Sequence, residues 1–104
     1  MRSYPLLLVL GMNSLLAESV STLRQAELQE LIHQDCGSCH GMKLTGGLGP
    51  AITQQALENK SHTFLKNTIR DGRPGTPMPP WKNLISEMDI DWIANYLKQG
   101  GVKP

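Results

Sequence analysis

Two cysteines and a histidine fall within five residues, Cys36-Gly37-Ser38-Cys39-His40, and these are the only cysteines of the chain. A disulfide between thiols so close restrains little of the unfolded chain, and two cysteines make no multi-disulfide framework. A structural zinc site needs four ligands. Here the fourth would have to be His33 or His62, and no second pair has finger spacing. A thioredoxin-like Cys-x-x-Cys belongs in a βαβ setting, and no run of alternating residues predicts strands. The pattern fits c-type haem attachment better than any of these. The thiols of Cys36 and Cys39 add to the two vinyl groups as thioethers, and His40 is carried under the iron as an axial ligand.

Composition sharpens the need for such a group. The chain has 104 residues, one domain's worth, with 1 Phe, 2 Trp and 2 Tyr. A domain this small and poor in rings struggles to fill a core with side chains alone. A formal net charge of +1 excludes the strongly basic footprint of a nucleic-acid binder.

Residues 1–17 read as a secretory signal peptide. Arg2 supplies the charged start, Leu6 to Leu10 open the apolar stretch, and Ala17 is the small residue before the cut. The stretch is too short to span a membrane, which takes ~20 apolar residues. The expected mature domain is 18–104. It loses Arg2, which leaves nine basic and nine acidic residues and a formal charge of 0. Export places it in the periplasm, where c-type haem attachment takes place.

The mature chain predicts an all-α domain of three to four short helices around one covalently bound haem. The first helix spans about 23–34, with Thr22 and Gln25 as a capping pair and Leu28, Leu31 and Ile32 as its apolar stripe. Glycines and Pro50 predict a loop from Cys36 to Pro50. A short helix follows around 53–58. Ser61 caps another, to about Arg70, with Phe64, Leu65 and Ile69 on its buried side. Ser86 caps the last, to Gln99, with Ile90, Trp92, Ile93, Tyr96 and Leu97 on its apolar side.

Residues 72–80 contain four prolines and two glycines. This is a stiff extended segment, and it presents Met78. An electron carrier needs a second axial ligand, and a thioether raises the potential relative to a second imidazole. Pro77, Pro79 and Pro80 leave the backbone little freedom to lose. Met42 lies too close to His40 to reach the opposite face. Met88, His33 and His62 are the other rivals.

Cys36-x-x-Cys39-His40, then Gly49-Pro50, then Met78-Pro79-Pro80 and a terminal amphipathic helix resemble a class I bacterial cytochrome c over the whole mature chain. The resemblance implies that a backbone carbonyl at Pro50 accepts the His40 Nδ1 proton. It implies that Trp81 lines the haem or packs in the core. Arg70 or Arg73 would meet a haem propionate or lie solvated. It also implies that the first and last helices cross at Leu31, against Tyr96 or Trp92. Within the class, Thr76-Pro-Met-Pro-Pro-Trp81 is similar to the small monohaem cytochromes called c-55X, encoded with dissimilatory nitrite reductase. The expected role is then single-electron transfer without catalysis. The partners would be a periplasmic nitrite reductase, or the maturation of its haem d1, and an upstream electron donor. The alternative is a haem ligand sensor or small peroxidase with a labile sixth ligand.

Overall fold

The first helix does not stop where the glycines begin. In the computed structural model, which describes residues 19–101, α1 (Thr22–Leu31) runs into a π turn (Ile32–Cys36) and then α2 (Gly37–His40). The expected loop from Cys36 is therefore corrected over its first five residues. Gly37 is buried, and its N–H donates to the Ile32 carbonyl five residues back. The Ser38 hydroxyl donates to the Asp35 carbonyl at 2.8 Å. Packing outweighs the low helix propensity of glycine. The cap is also corrected by one residue. Ser21 is the extended residue, and its Oγ accepts from Arg24 N–H at 3.1 Å. Gln25 Nε2 instead donates to the Val20 carbonyl at 3.0 Å.

The remaining helices begin at hydroxyl caps, of which Ser61 and Ser86 were expected and Thr53 was not. Thr53 caps α3 (Gln54–Leu57), Ser61 caps α4 (His62–Asp71) and Ser86 caps α5 (Glu87–Lys98). At Ser86 the box is complete: Asp89 N–H donates to Ser86 Oγ at 3.1 Å, and Ser86 N–H donates to Asp89 Oδ2 at 3.2 Å. Among the described residues there is no strand, so the domain is all-α.

Helix α5 is the centre of the core and packs against α4 and α3. It buries Ile90, Ile93, Ala94 and Leu97, which join Leu28 and Ile32 of the first helical run, Leu44, Leu57, Leu65 and Ile85. Among the described residues no ring is fully buried; Trp81, Trp92 and Tyr96 pack half-buried against this aliphatic cluster. Phe64 corrects the expected buried face of α4. It is 47% exposed, and the Lys60 ammonium sits 5.6 Å from its ring centroid. Leu65 and Ile69, one turn apart, turn the core face about 100° away from Phe64.

The N- and C-terminal helices are joined by a charge pair that the apolar pattern did not announce. Arg24 donates side-on to Asp89, Nη2 to Oδ2 at 2.8 Å and Nε to Oδ1 at 3.3 Å. Asp89 is buried. The Arg24 guanidinium, helped by Ser86, holds its carboxyl below the usual carboxylate range. On α5 Trp92 and Tyr96 stack on each other at 4.7 Å, and Leu31, at the end of α1, lies half-buried against the core. The expected signal peptide at 1–17 lies outside the described residues. Among the described residues no helix is long and apolar enough to cross a membrane.

Candidate functional site

The continuous helix places Cys36 and Cys39 three residues apart, so their Cβ atoms lie one turn apart on one face, with His40 next along the chain. Both cysteines are free and half-buried. Cys36 packs against the core. Burial pushes its thiol up to about 11, with Asp35 and Cys39 adding to the shift, so as a free side chain it is a neutral thiol at neutral pH.

His40 ends α2, and its Nδ1 lies 2.7 Å from the Pro50 carbonyl oxygen. A carbonyl can only accept, so Nδ1 carries the proton and Nε2 keeps the free lone pair. The loop that brings Pro50 back is pinned by its backbone. Gly46 N–H donates to the His40 carbonyl at 2.8 Å, Gly49 N–H to the Cys39 carbonyl at 2.7 Å and Ile52 N–H to the Leu44 carbonyl at 2.9 Å. Leu44 is buried at φ +60°, a conformation that L-residues rarely adopt. Gly49 entered the sequence reading only as a loop glycine paired with Pro50, with no contact to His40 assigned to it. A Cβ there would lie 2.8 Å from His40 Cε1 and 2.9 Å from Nδ1. The imidazole is thus fitted against bare backbone on one side and a carbonyl on the other. The Gly49-Pro50 pair was visible in the sequence, but not its distance to the ring.

Met78 is half-buried in a segment closed on itself. Arg73 N–H donates to the Met78 carbonyl at 3.2 Å. Met78 N–H donates to Thr76 Oγ1 at 3.3 Å, and that hydroxyl donates to the Arg73 carbonyl at 2.6 Å. The segment rests on Gly72, at φ +69°, where a Cβ would lie 2.6 Å from the Pro79 carbonyl carbon and 2.7 Å from Pro80 N. Beyond it, Trp81 and Lys82 N–H groups donate to the Ile69 and Arg70 carbonyls at 3.1 and 3.2 Å, which ties both ends to α4.

The remaining candidates separate by engagement. Trp81 is half-buried against the aliphatic core. Arg70 forks onto Asp71, Nε to Oδ1 at 3.2 Å and Nη2 to Oδ2 at 3.1 Å. Arg73 is exposed and has no ion-pair partner among the described residues. Met42 is exposed, as is His33 on the π turn. Met88 is exposed on α5. His62 Nε2 lies 3.4 Å from the Asp91 carbonyl oxygen and 3.5 Å from its carboxylate.

This donor set fits a covalently held haem. It offers two free thiols on one helical face, an imidazole with its proton fixed on Nδ1, and a thioether on a stiff segment. A zinc site lacks its ligands: among the described residues no three His, Cys, Asp or Glu side chains are placed to hold one metal ion.

Comparison with known proteins agrees with this chemistry. Residues 24–97 match the family described as cytochrome C oxidase, cbb3-type, subunit III. The chain is 54% identical over 81 residues to cytochrome c55X of Pseudomonas aeruginosa, covering 78% of this chain and 68% of that protein. Its structure is similar to that of the c-type cytochrome NirC, with a TM-score of 0.78 and 51% identity, over 81% of this chain and 99% of that one. A further neighbour is the dihydro-heme d1 dehydrogenase NirN in complex with DHE, with a TM-score of 0.64 and 29% identity, over 73% of this chain and 16% of that one.

Proposed function

The chain belongs to the cytochrome c55X family of c-type cytochromes, which carry covalent haem c, and from that premise we propose that it is a periplasmic single-electron carrier with His40 and Met78 as axial ligands. Cys36 and Cys39 form the thioethers. The observation that carries the reading is the 2.7 Å contact between His40 Nδ1 and the Pro50 carbonyl. It leaves Nε2 as the ligating nitrogen and makes the imidazole a stronger donor. The haem supplies a one-electron Fe(III)/Fe(II) couple.

The chain's own residues keep that couple simple. His40 is held by its helix, by Cys39 beside it and by Pro50, so it would move little between the two oxidation states. Met78 stands on a segment whose backbone bonds do not depend on the charge at the iron. With His40 and Met78 both holding the iron, no coordination site would be left for a substrate. Trp81 packs against the aliphatic core, and Arg73, whose guanidinium has no ion-pair partner among the described residues, would meet a propionate.

The proposed partners are a periplasmic nitrite reductase, or the dehydrogenase step that matures its haem d1, and an upstream electron donor. The relatives named NirC and dihydro-heme d1 dehydrogenase support that assignment. Residues 1–17 are the export signal in this reading. A mature formal charge of 0 becomes about −2 with two ionised propionates. Long-range steering is then weak, and exchange with a partner changes little with ionic strength.

Intact mass and a pyridine haemochrome of the purified protein test attachment and cleavage together. One covalent haem and loss of 17 residues are expected. The weak far-red thioether-to-iron(III) absorption band tests Met78. A high-spin ferric spectrum, or fast carbon monoxide binding after reduction, would replace this reading by a ligand sensor. Stopped-flow mixing of the reduced protein with nitrite reductase tests the partner.

A further inference from the structure

Met78 has two backbone hydrogen-bonding groups, and both are satisfied inside its own segment. Its carbonyl accepts from Arg73 N–H at 3.2 Å, and its N–H donates to Thr76 Oγ1 at 3.3 Å. The same hydroxyl donates to the Arg73 carbonyl at 2.6 Å, which also accepts from Thr76 N–H at 3.0 Å. Thr76 Oγ1 is therefore the one side-chain atom that ties the rising arm of the segment to the ligand's own peptide. The prolines complete the restriction. Pro77 holds Thr76 out of the helical region and Pro79 does the same to Met78, while the proline rings fix their own φ.

Resting on the His40/Met78 reading above, we propose that the Thr76 hydroxyl is a positioning residue for the axial ligand. By bridging Arg73 O and Met78 N–H it adds a second tie beside the Arg73 N–H to Met78 carbonyl bond, so that both backbone groups of Met78 are held. Prolines alone do not accomplish this. They restrict torsions but supply no bond between the two arms, and each removes a donor. An exposed segment without that bond opens more often, and each opening frees the sixth position for an outside ligand.

Thr76→Val keeps the shape and removes the hydroxyl; Thr76→Ser keeps the hydroxyl and removes the methyl. Both are compared with the wild type as full haem-loaded proteins, in the ferric state, by titration with imidazole and by the far-red thioether band. Loss of one or two hydrogen bonds corresponds to about tenfold tighter imidazole binding and a weaker band in Thr76→Val, with Thr76→Ser close to wild type. Equal imidazole affinity in Thr76→Val and wild type overturns the proposal. So does a Thr76→Ser protein as disturbed as Thr76→Val, since the hydroxyl is then not what matters. A wild-type protein without the thioether band removes the Met78 reading and this inference together. Hydrogen exchange in the wild type gives a reading independent of the variants' folding: the Met78 amide should be protected, and exchange at the free-peptide rate overturns the proposal.

Discussion

The segment after His40 and the segment around Met78 are both loops tied by backbone hydrogen bonds, yet they hold their residues by different means. His40 sits at the end of a helical run that begins at Thr22. It is flanked by Cys39 and gripped from across the loop by Gly49 and Pro50. The grip comes from residues nine and ten positions away, and the backbone under the ring is helical. Met78 has no helix beneath it. Its restraints come from within six residues, at Gly72, Arg73 and Thr76. One proposed ligand is therefore anchored at the end of the long helical run and gripped from across its loop, and the other is presented by a local turn whose restraints lie within its own segment.

Removing the two attachments should break the comparison most visibly. With Cys36 and Cys39 both changed to serine, the chain loses covalent haem, and far-UV circular dichroism should show most helix lost. Among the described residues the buried core contains no ring, so burial of the haem should be a major share of the hydrophobic stabilisation. Met78→Ala should do the opposite. Haem stays attached and helicity is kept, but the thioether band vanishes, carbon monoxide binds after reduction and the potential falls. A well-folded double-serine protein would mean that the aliphatic cluster suffices alone. A Met78→Ala protein that unfolds would mean that the Met78 segment is as structural as the His40 segment.

The two glycines make a finer test of the same contrast. At Gly72 a Cβ meets Pro79 and Pro80 backbone at 2.6–2.7 Å, at φ +69°, so both strain and clash act on atoms that cannot turn aside. Gly72→Ala should cost about 3 kcal/mol and weaken the thioether band. At Gly49 the obstacle is the His40 ring. Gly49→Ala should cost less, about 1–2 kcal/mol. Its mark is a changed imidazole signature, since the ring must leave the Pro50 carbonyl. Thermal melts combined with ferric spectra separate the two outcomes. An unaltered His40 environment in Gly49→Ala would show that the loop, not the ring, moves aside.

How far the sequence could be read follows the range of each interaction. Caps act over three residues, and Ser61 and Ser86 were legible. The Cys-x-x-Cys-His spacing carries its chemistry in five residues. Gly37 was misread as a breaker because burial keeps it helical, and burial depends on Ile32 and Met42 around it. Phe64 was misplaced because an apolar side chain does not say which side of Leu65 the core lies on. The close approaches at Gly49 and Gly72 depend on chain that returns from nine and seven residues away. The Arg24–Asp89 pair spans 65 residues, and neither charge stood out on its helix.

That pair also supplies the control for the comparison, because it touches neither ligand segment. The carboxyl of Asp89 is held below its unfolded value, chiefly by Arg24. Its contribution to stability is therefore fully present above the unfolded carboxylate pKa, about 4. It is lost as pH falls through the lower folded value. Asp89→Asn removes the charge but keeps the shape. With Arg24 partly exposed, the cost near neutral pH should be about 1 kcal/mol. The difference between variant and wild type should shrink as pH falls below about 4, where the unfolded carboxyl protonates, and close once the folded carboxyl, held lower still, is protonated as well. Denaturant melts from pH 3 to 7 measure this directly. The thioether band and imidazole affinity should stay at wild-type values throughout. If Asp89→Asn shifted them, the Met78 segment would not be the locally closed unit that its hydrogen bonds describe.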